Sequence, residues 1–119
     1  MINIYSSSRY KVAKKTLSQF TEKILQRYNL QANYVLNIAF VGIRKMRHVA
    51  NTYKNENIAL PVLSFGYPVD PSKKEEQVIG EVVICYPQAV LLAAEREKKV
   101  DTVLQNLVEH AIENILGKI

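Results

Sequence analysis

The sequence predicts an α+β domain, a small mixed four-stranded sheet with helices packed on it. Three observations carry that prediction. Segments rich in β-branched and aromatic residues alternate at first with helix-period stretches, the alternation breaks where the strand-like segments 61–67 and 80–86 follow one another, and two helical stretches then come in succession. A doubly wound sheet requires regular alternation, so the order β-α-β-α-β-β-α-α argues for a mixed sheet. At 119 residues, 48% hydrophobic and 23% charged, the chain fits one domain, residues 1–119, with enough apolar surface for a core.

Taken in order, INIY (2–5) alternates apolar and polar residues and is long enough for a short strand. Ser6, Ser7 and Ser8 then offer hydroxyl caps for a helix from Arg9 to about Asn29. In that stretch Leu17, Phe20, Ile24, Leu25 and Tyr28 recur at helical spacing, and Lys11, Lys14, Lys15, Lys23 and Arg27 occupy the other face. YVLNIAFV (34–41) reads as a strand closed by Gly42. From Ile43 to about Lys54 the period is helical again, with Ile43, Met46, Val49, Ala50 and Tyr53 facing inward.

NENIALP ends that helix, and PVLSFGY (61–67) is a third strand beginning just after a proline. VDPSKKEEQ is polar and proline-containing, and is expected to be the mobile loop of the domain. GEVVICY (80–86) is the fourth strand, and Pro87 is placed to open a helix through QAVLLAAEREK. Asp101 is expected to cap a last helix, whose apolar face is Val103, Leu104, Leu107, Val108, Ala111 and Ile115, ending near Gly117.

Composition also bounds the class. The one cysteine, Cys85, permits no internal disulfide and no cysteine-based zinc site, and its place in a predicted buried strand makes it an inert core thiol. The opening MINIYSSSRYK has no signal-peptide core, and the longest nearly apolar run, YVLNIAFVGI, is far short of the roughly 20 residues that cross a bilayer. A soluble, cytoplasmic protein with no membrane association is expected. Phosphate-cradling glycine loops are absent, and Ser64 has no strand-to-helix elbow around it to support a Ser-His hydrolase.

The net charge of +5 is unevenly spread: residues 1–55 carry ten Lys or Arg against the single acid Glu22, whereas residues 56–119 carry six against ten acids. A strongly basic half suggests a polyanion partner such as nucleic acid, and solvated helix faces are the plainer alternative. Arg44, Arg47, His48, Asn51 and Lys54 are spaced i, i+3, i+4, i+7 and i+10, which makes one polar, mostly basic stripe opposite the apolar stripe of the second helix. Such a row can track a nucleic-acid backbone. It holds no dense aromatic interleaving, so it gives no indication of sequence-specific reading.

The run YVLNIAFVGIRKMRHVANTYKNENIALPVLSF resembles the YbeY family of rRNA-maturation endoribonucleases, in which the helix ends in Asn-x-x-Tyr-Arg and the next strand reads Thr-Asp-Val-Leu-Ser-Phe. Asn51, Tyr53 and Val62-Leu63-Ser64-Phe65 match that pattern. IGEVVIC resembles the family's Gly-Asp-Ile-Val-Ile strand, and LVEHAIENILG resembles its His-Gly-x-Leu-His-Leu-x-Gly-Tyr-Asp-His helix. The resemblance implies a metal-dependent hydrolase, with three histidines holding a zinc, that matures ribosomal RNA ends and serves late ribosome quality control. Its partners are then ribosomal RNA or the small ribosomal subunit.

Against that motif His110 takes the first metal position, Asn114 falls where the second histidine belongs, Ala111 replaces the glycine, and the sequence stops at Ile119 before a third. Catalytic zinc needs three protein ligands and an open position, and an asparagine amide is a poor ligand for it. The zinc of the family is therefore expected to be missing here. His48 lies among Arg44, Lys45 and Arg47, where positive charge opposes a cation. His110 is expected to be a partly buried, hydrogen-bonded residue at the edge of the core stripe, with Glu109 and Glu113 as carboxylates on the same helix. The resemblance also puts Lys54 at the position of the catalytic arginine, keeping the charge without the planar fork that grips a phosphate.

Three functional readings follow. The first is a divergent YbeY-type factor in which Lys54 positions phosphate and His110 serves as a lone ligand or acid/base group. The second is a non-catalytic RNA- or ribosome-binding module on the same scaffold, and the third is a protein-interaction domain without an RNA role.

Overall fold

The computed structural model describes residues 1–117. The β-branched and aromatic segments form four strands: β1 (Ile2–Tyr5), β2 (Tyr34–Val41), β3 (Val62–Gly66) and β4 (Gln77–Cys85). The helix-period stretches form α1 (Lys14–Leu25), α2 (Ile43–Lys54), α3 (Tyr86–Arg96) and α4 (Val100–Leu116). The sheet order is β1-β2-β4-β3, with β1, β2 and β4 parallel and β3 antiparallel to β4. Both the α+β class and the element order agree with the sequence reading.

Strand side chains alternate between faces, so the pairing register sorts them. One face carries Leu36, Ile38 and Phe40 of β2 with Val82 and Ile84 of β4, buried against Leu17 and Ile24 of α1, Val103, Leu104, Val108 and Ile112 of α4, and Ala89 and Ala93 of α3. The opposite face carries a smaller cluster, in which Val41, Leu63 and Cys85 pack on Met46 and Ala50 of α2. Helix α2 thus lies alone on the second face and covers part of it. Gly80 marks where α4 presses on the sheet: a Cβ there would stand 2.8 Å from the Phe65 carbonyl oxygen and 2.9 Å from Ile115 Cδ1.

Several boundaries differ from expectation. Helix α1 starts at Lys14 rather than Arg9, because the serines make a turn instead of a cap: the Tyr10 N–H donates to the Ser7 carbonyl, and the Arg9 N–H to Ser7 Oγ. Strand β4 begins at Gln77, ahead of Gly80, since Gln77 and Val78 pair with Tyr34 and Val35. The loop before it is fastened by Asn33, whose Nδ2 donates to the Lys73 and Glu75 carbonyls. Lys99, not Asp101, is the cap residue of α4, and Asp101 sits in its first turn. Ile43 and Tyr53, expected to face inward, are exposed.

Candidate nucleic-acid interface

Helix α2 takes its orientation from Met46 and Ala50, both fully buried. With those two side chains fixed inward, the helical period carries Arg44, Arg47, His48, Asn51 and Lys54 outward, and all five are exposed. Among the described residues the one ion pair joins Arg27 to Glu109, so no carboxylate neutralises the α2 cations. Asn55 ends the helix in the left-handed conformation, φ 56°, and its N–H donates to the Ala50 carbonyl. Lys54 lies in the last turn, where the negative end of the helix dipole favours a cation.

His110 does not join this surface. It projects from α4, which packs on the other face of the sheet, so Lys54 and His110 are not brought together. It is also exposed rather than partly buried, because α4 buries Leu107, Val108, Ala111 and Ile112 and the helical period then turns position 110 to solvent. Glu109 accepts a hydrogen bond from Arg27 Nη1 at 3.2 Å. Glu113 and Asn114 are exposed. Among the described residues no three His, Cys, Asp or Glu side chains are grouped to hold a metal. A donor set of one imidazole with an asparagine one turn on does not fit a three-ligand zinc centre.

The part of the second sheet face left open by α2 forms a cleft of about 620 Å³. Its floor holds Asn37 of β2 and Glu81 of β4, and Asn3 of β1, beside Asn37 in register, extends them into a polar row at the cleft's edge. Asn3 Nδ2 donates to Asn37 Oδ1 at 3.1 Å, and the Tyr67 hydroxyl donates to Glu81 Oε1 at 2.5 Å. That bond to Glu81, helped by burial and the negative charge, pushes the Tyr67 pKa up to about 12. Its hydroxyl therefore stays a donor at any physiological pH. Tyr53 leans over Phe65 edge to face, ring centroids 5.2 Å apart, and Tyr5 closes the far side. Cys85 is buried beneath α2, and that burial pushes its thiol pKa up, as expected of an inert core thiol.

Sequence reading missed this row. Asn37 and Glu81 are polar residues in the interior of strands that are otherwise largely apolar, YVLNIAFV and QVIGEVVIC. That was the available signal, and it became a site through strand pairing.

The chain matches the family model described as Endoribonuclease YbeY over residues 2–117. It belongs to the YbeY endoribonuclease family. It is 33% identical over 86 residues to the endoribonuclease YbeY of Pseudomonas syringae pv. syringae, covering 72% of this chain and 52% of that protein. The corresponding protein of Cupriavidus necator is 30% identical over 88 residues, covering 74% of this chain and 43% of the relative. The chain thus spans about half the length of these curated YbeY relatives. A solution structure of a Thermotoga maritima protein superposes with a TM-score of 0.65 at 21% identity, over 98% of this chain and 73% of the other, which establishes the shared fold. Among the described residues no helix is long and apolar enough to cross a membrane.

Proposed function

We propose that this protein is a YbeY-type rRNA maturation factor that binds ribosomal RNA, free or within the small ribosomal subunit, through the outer face of α2. The observation that carries this reading is the row Arg44, Arg47, His48, Asn51 and Lys54, exposed and, among the described residues, without a carboxylate partner, in a chain of an rRNA-processing endoribonuclease family. Arginine forks and the Lys54 ammonium, at the end of that row, are suited to successive phosphates. A cytoplasmic location, where ribosomes mature, accompanies this role.

The endoribonuclease step of the relatives is not routed through His110. That imidazole is exposed on the far side of the sheet from Lys54, and among the described residues it belongs to no group of three side chains able to hold a metal. On this reading the protein acts on rRNA by binding, with cleavage well below that of a three-histidine YbeY enzyme. Two measurements on the purified full chain test this: zinc content, and binding and cleavage of a precursor rRNA fragment. Salt-dependent binding with zinc far below one per chain supports the proposal. One zinc per chain accompanied by cleavage overturns its non-catalytic part, and absence of RNA binding overturns all of it.

A further inference from the structure

The basic row of α2 and the sheet cleft are chemically different surfaces. Val49 and Tyr53 are the α2 residues that reach the cleft, and among the described residues its lining holds the Glu81 carboxylate and no cation. Phosphate is repelled there. A planar, uncharged group with N–H donors is not: aromatic rings at Tyr5, Tyr53, Phe65 and Tyr67 offer stacking surfaces, and the floor offers hydrogen bonds.

The floor has a definite pattern. Glu81 is acceptor-only when ionised and keeps lone pairs free after accepting from Tyr67. Asn37, its direct neighbour on β2, uses its carbonyl oxygen to accept from Asn3, which leaves its NH2 group as a donor. A donor beside two carboxylate acceptors is the complement of the guanine Watson–Crick edge, which presents the O6 acceptor next to the N1–H and N2–H donors. Uracil flanks its one donor with two carbonyls, and adenine and cytosine put a ring nitrogen acceptor where the carboxylate would meet it.

We propose that the cleft holds one unpaired guanine of an RNA strand, its edge on Asn37 and Glu81 and its face against Tyr53. This rests on the RNA-binding role proposed above and adds to it a base preference, which the basic row by itself does not supply.

The test is fluorescence anisotropy of the full chain with short oligouridylates that are all uridine or carry one central guanosine or inosine, inosine lacking the N2 amino group. The guanosine oligomer is expected to bind about 5- to 160-fold more tightly than all-uridine, the range of one good bidentate base contact, with inosine between them. Glu81→Gln, which replaces one acceptor by a donor, is expected to abolish that preference while leaving all-uridine binding within about twofold. Circular dichroism of Glu81→Gln and the conservative Tyr53→Phe, which keeps the stacking ring and should keep the preference, separates base reading from misfolding. Equal binding of guanosine and uridine oligomers overturns the pocket while the RNA-binding role stands; binding of neither overturns both. If Glu81→Gln instead weakens an arginine-rich peptide and leaves the guanosine preference intact, the cleft is a protein site and the proposal is wrong.

Discussion

Removing two cations from α2 gives the sharpest quantitative expectation. Arg44 and Arg47 are one helical turn apart, exposed, and in no ion pair among the described residues. With Lys54 they make three cations on one stripe. Each phosphate neutralised in a single strand contributes about −0.7 to the slope of log K against log salt, so three contacts give about −2.1. Between 50 and 200 mM salt, wild-type affinity for unstructured RNA should fall roughly 18-fold. The double variant R44A/R47A retains one contact, with a slope near −0.7 and a fall of roughly threefold. Because both side chains are exposed and unpaired, stability should change by less than about 0.5 kcal/mol, and urea unfolding checks that. Anisotropy across a salt series reads the slope. A double variant whose slope equals that of the wild type refutes the reasoning, since the contacts would then lie elsewhere.

Two further expectations concern the second sheet face and the packing beneath it. In an alkaline absorbance titration one of the seven tyrosines should ionise late, because the bond to Glu81 pushes Tyr67 up to about 12; Glu81→Gln should return it toward the ordinary range, and an unchanged titration would disprove the assignment. Since the folded pKa is raised, the associated stability is fully present below about pH 10 and lost as pH rises toward 12. Tyr67 is 42% exposed, so this amounts to no more than on the order of 1 kcal/mol. Gly80→Ala should cost about 1–3 kcal/mol in urea unfolding by forcing β3 or α4 to shift, whereas Gly66→Ala, whose Cβ would meet Ile115 Cγ2 at 3.6 Å, should cost clearly less. Equal costs would show that the contact at Gly80 does not govern the packing.

What the sequence made legible, and what it hid, divides along the distance over which the physics acts. The stripe on α2 was readable because helix period and burial of Met46 and Ala50 are properties of twelve consecutive residues. Failures at boundaries came from competition that local rules do not weigh. Ser7 spends its oxygens on a turn, and the pull of β2 extends β4 back to Gln77, past a glycine that serves close packing rather than a turn. His110 was expected at the edge of the core stripe, but α4 buries Leu107, Val108, Ala111 and Ile112 and leaves position 110 outside. The cleft was the least legible, since Asn3, Asn37 and Glu81 become neighbours through pairing of strands far apart in the chain.

That last fact bears on how the molecule folds. Asn37 and Glu81 meet across a parallel pair, which requires closing the whole excursion through α2 and β3, and β1 adds its share as a four-residue strand on the sheet's rim. Pairings of such high sequence separation form slowly, and short edge segments open most readily. No excised hairpin or helix can carry the polar row. It is completed when the chain reaches its final topology, and β1, at the edge of the sheet, is the strand whose opening removes Asn3 and Tyr5 from it.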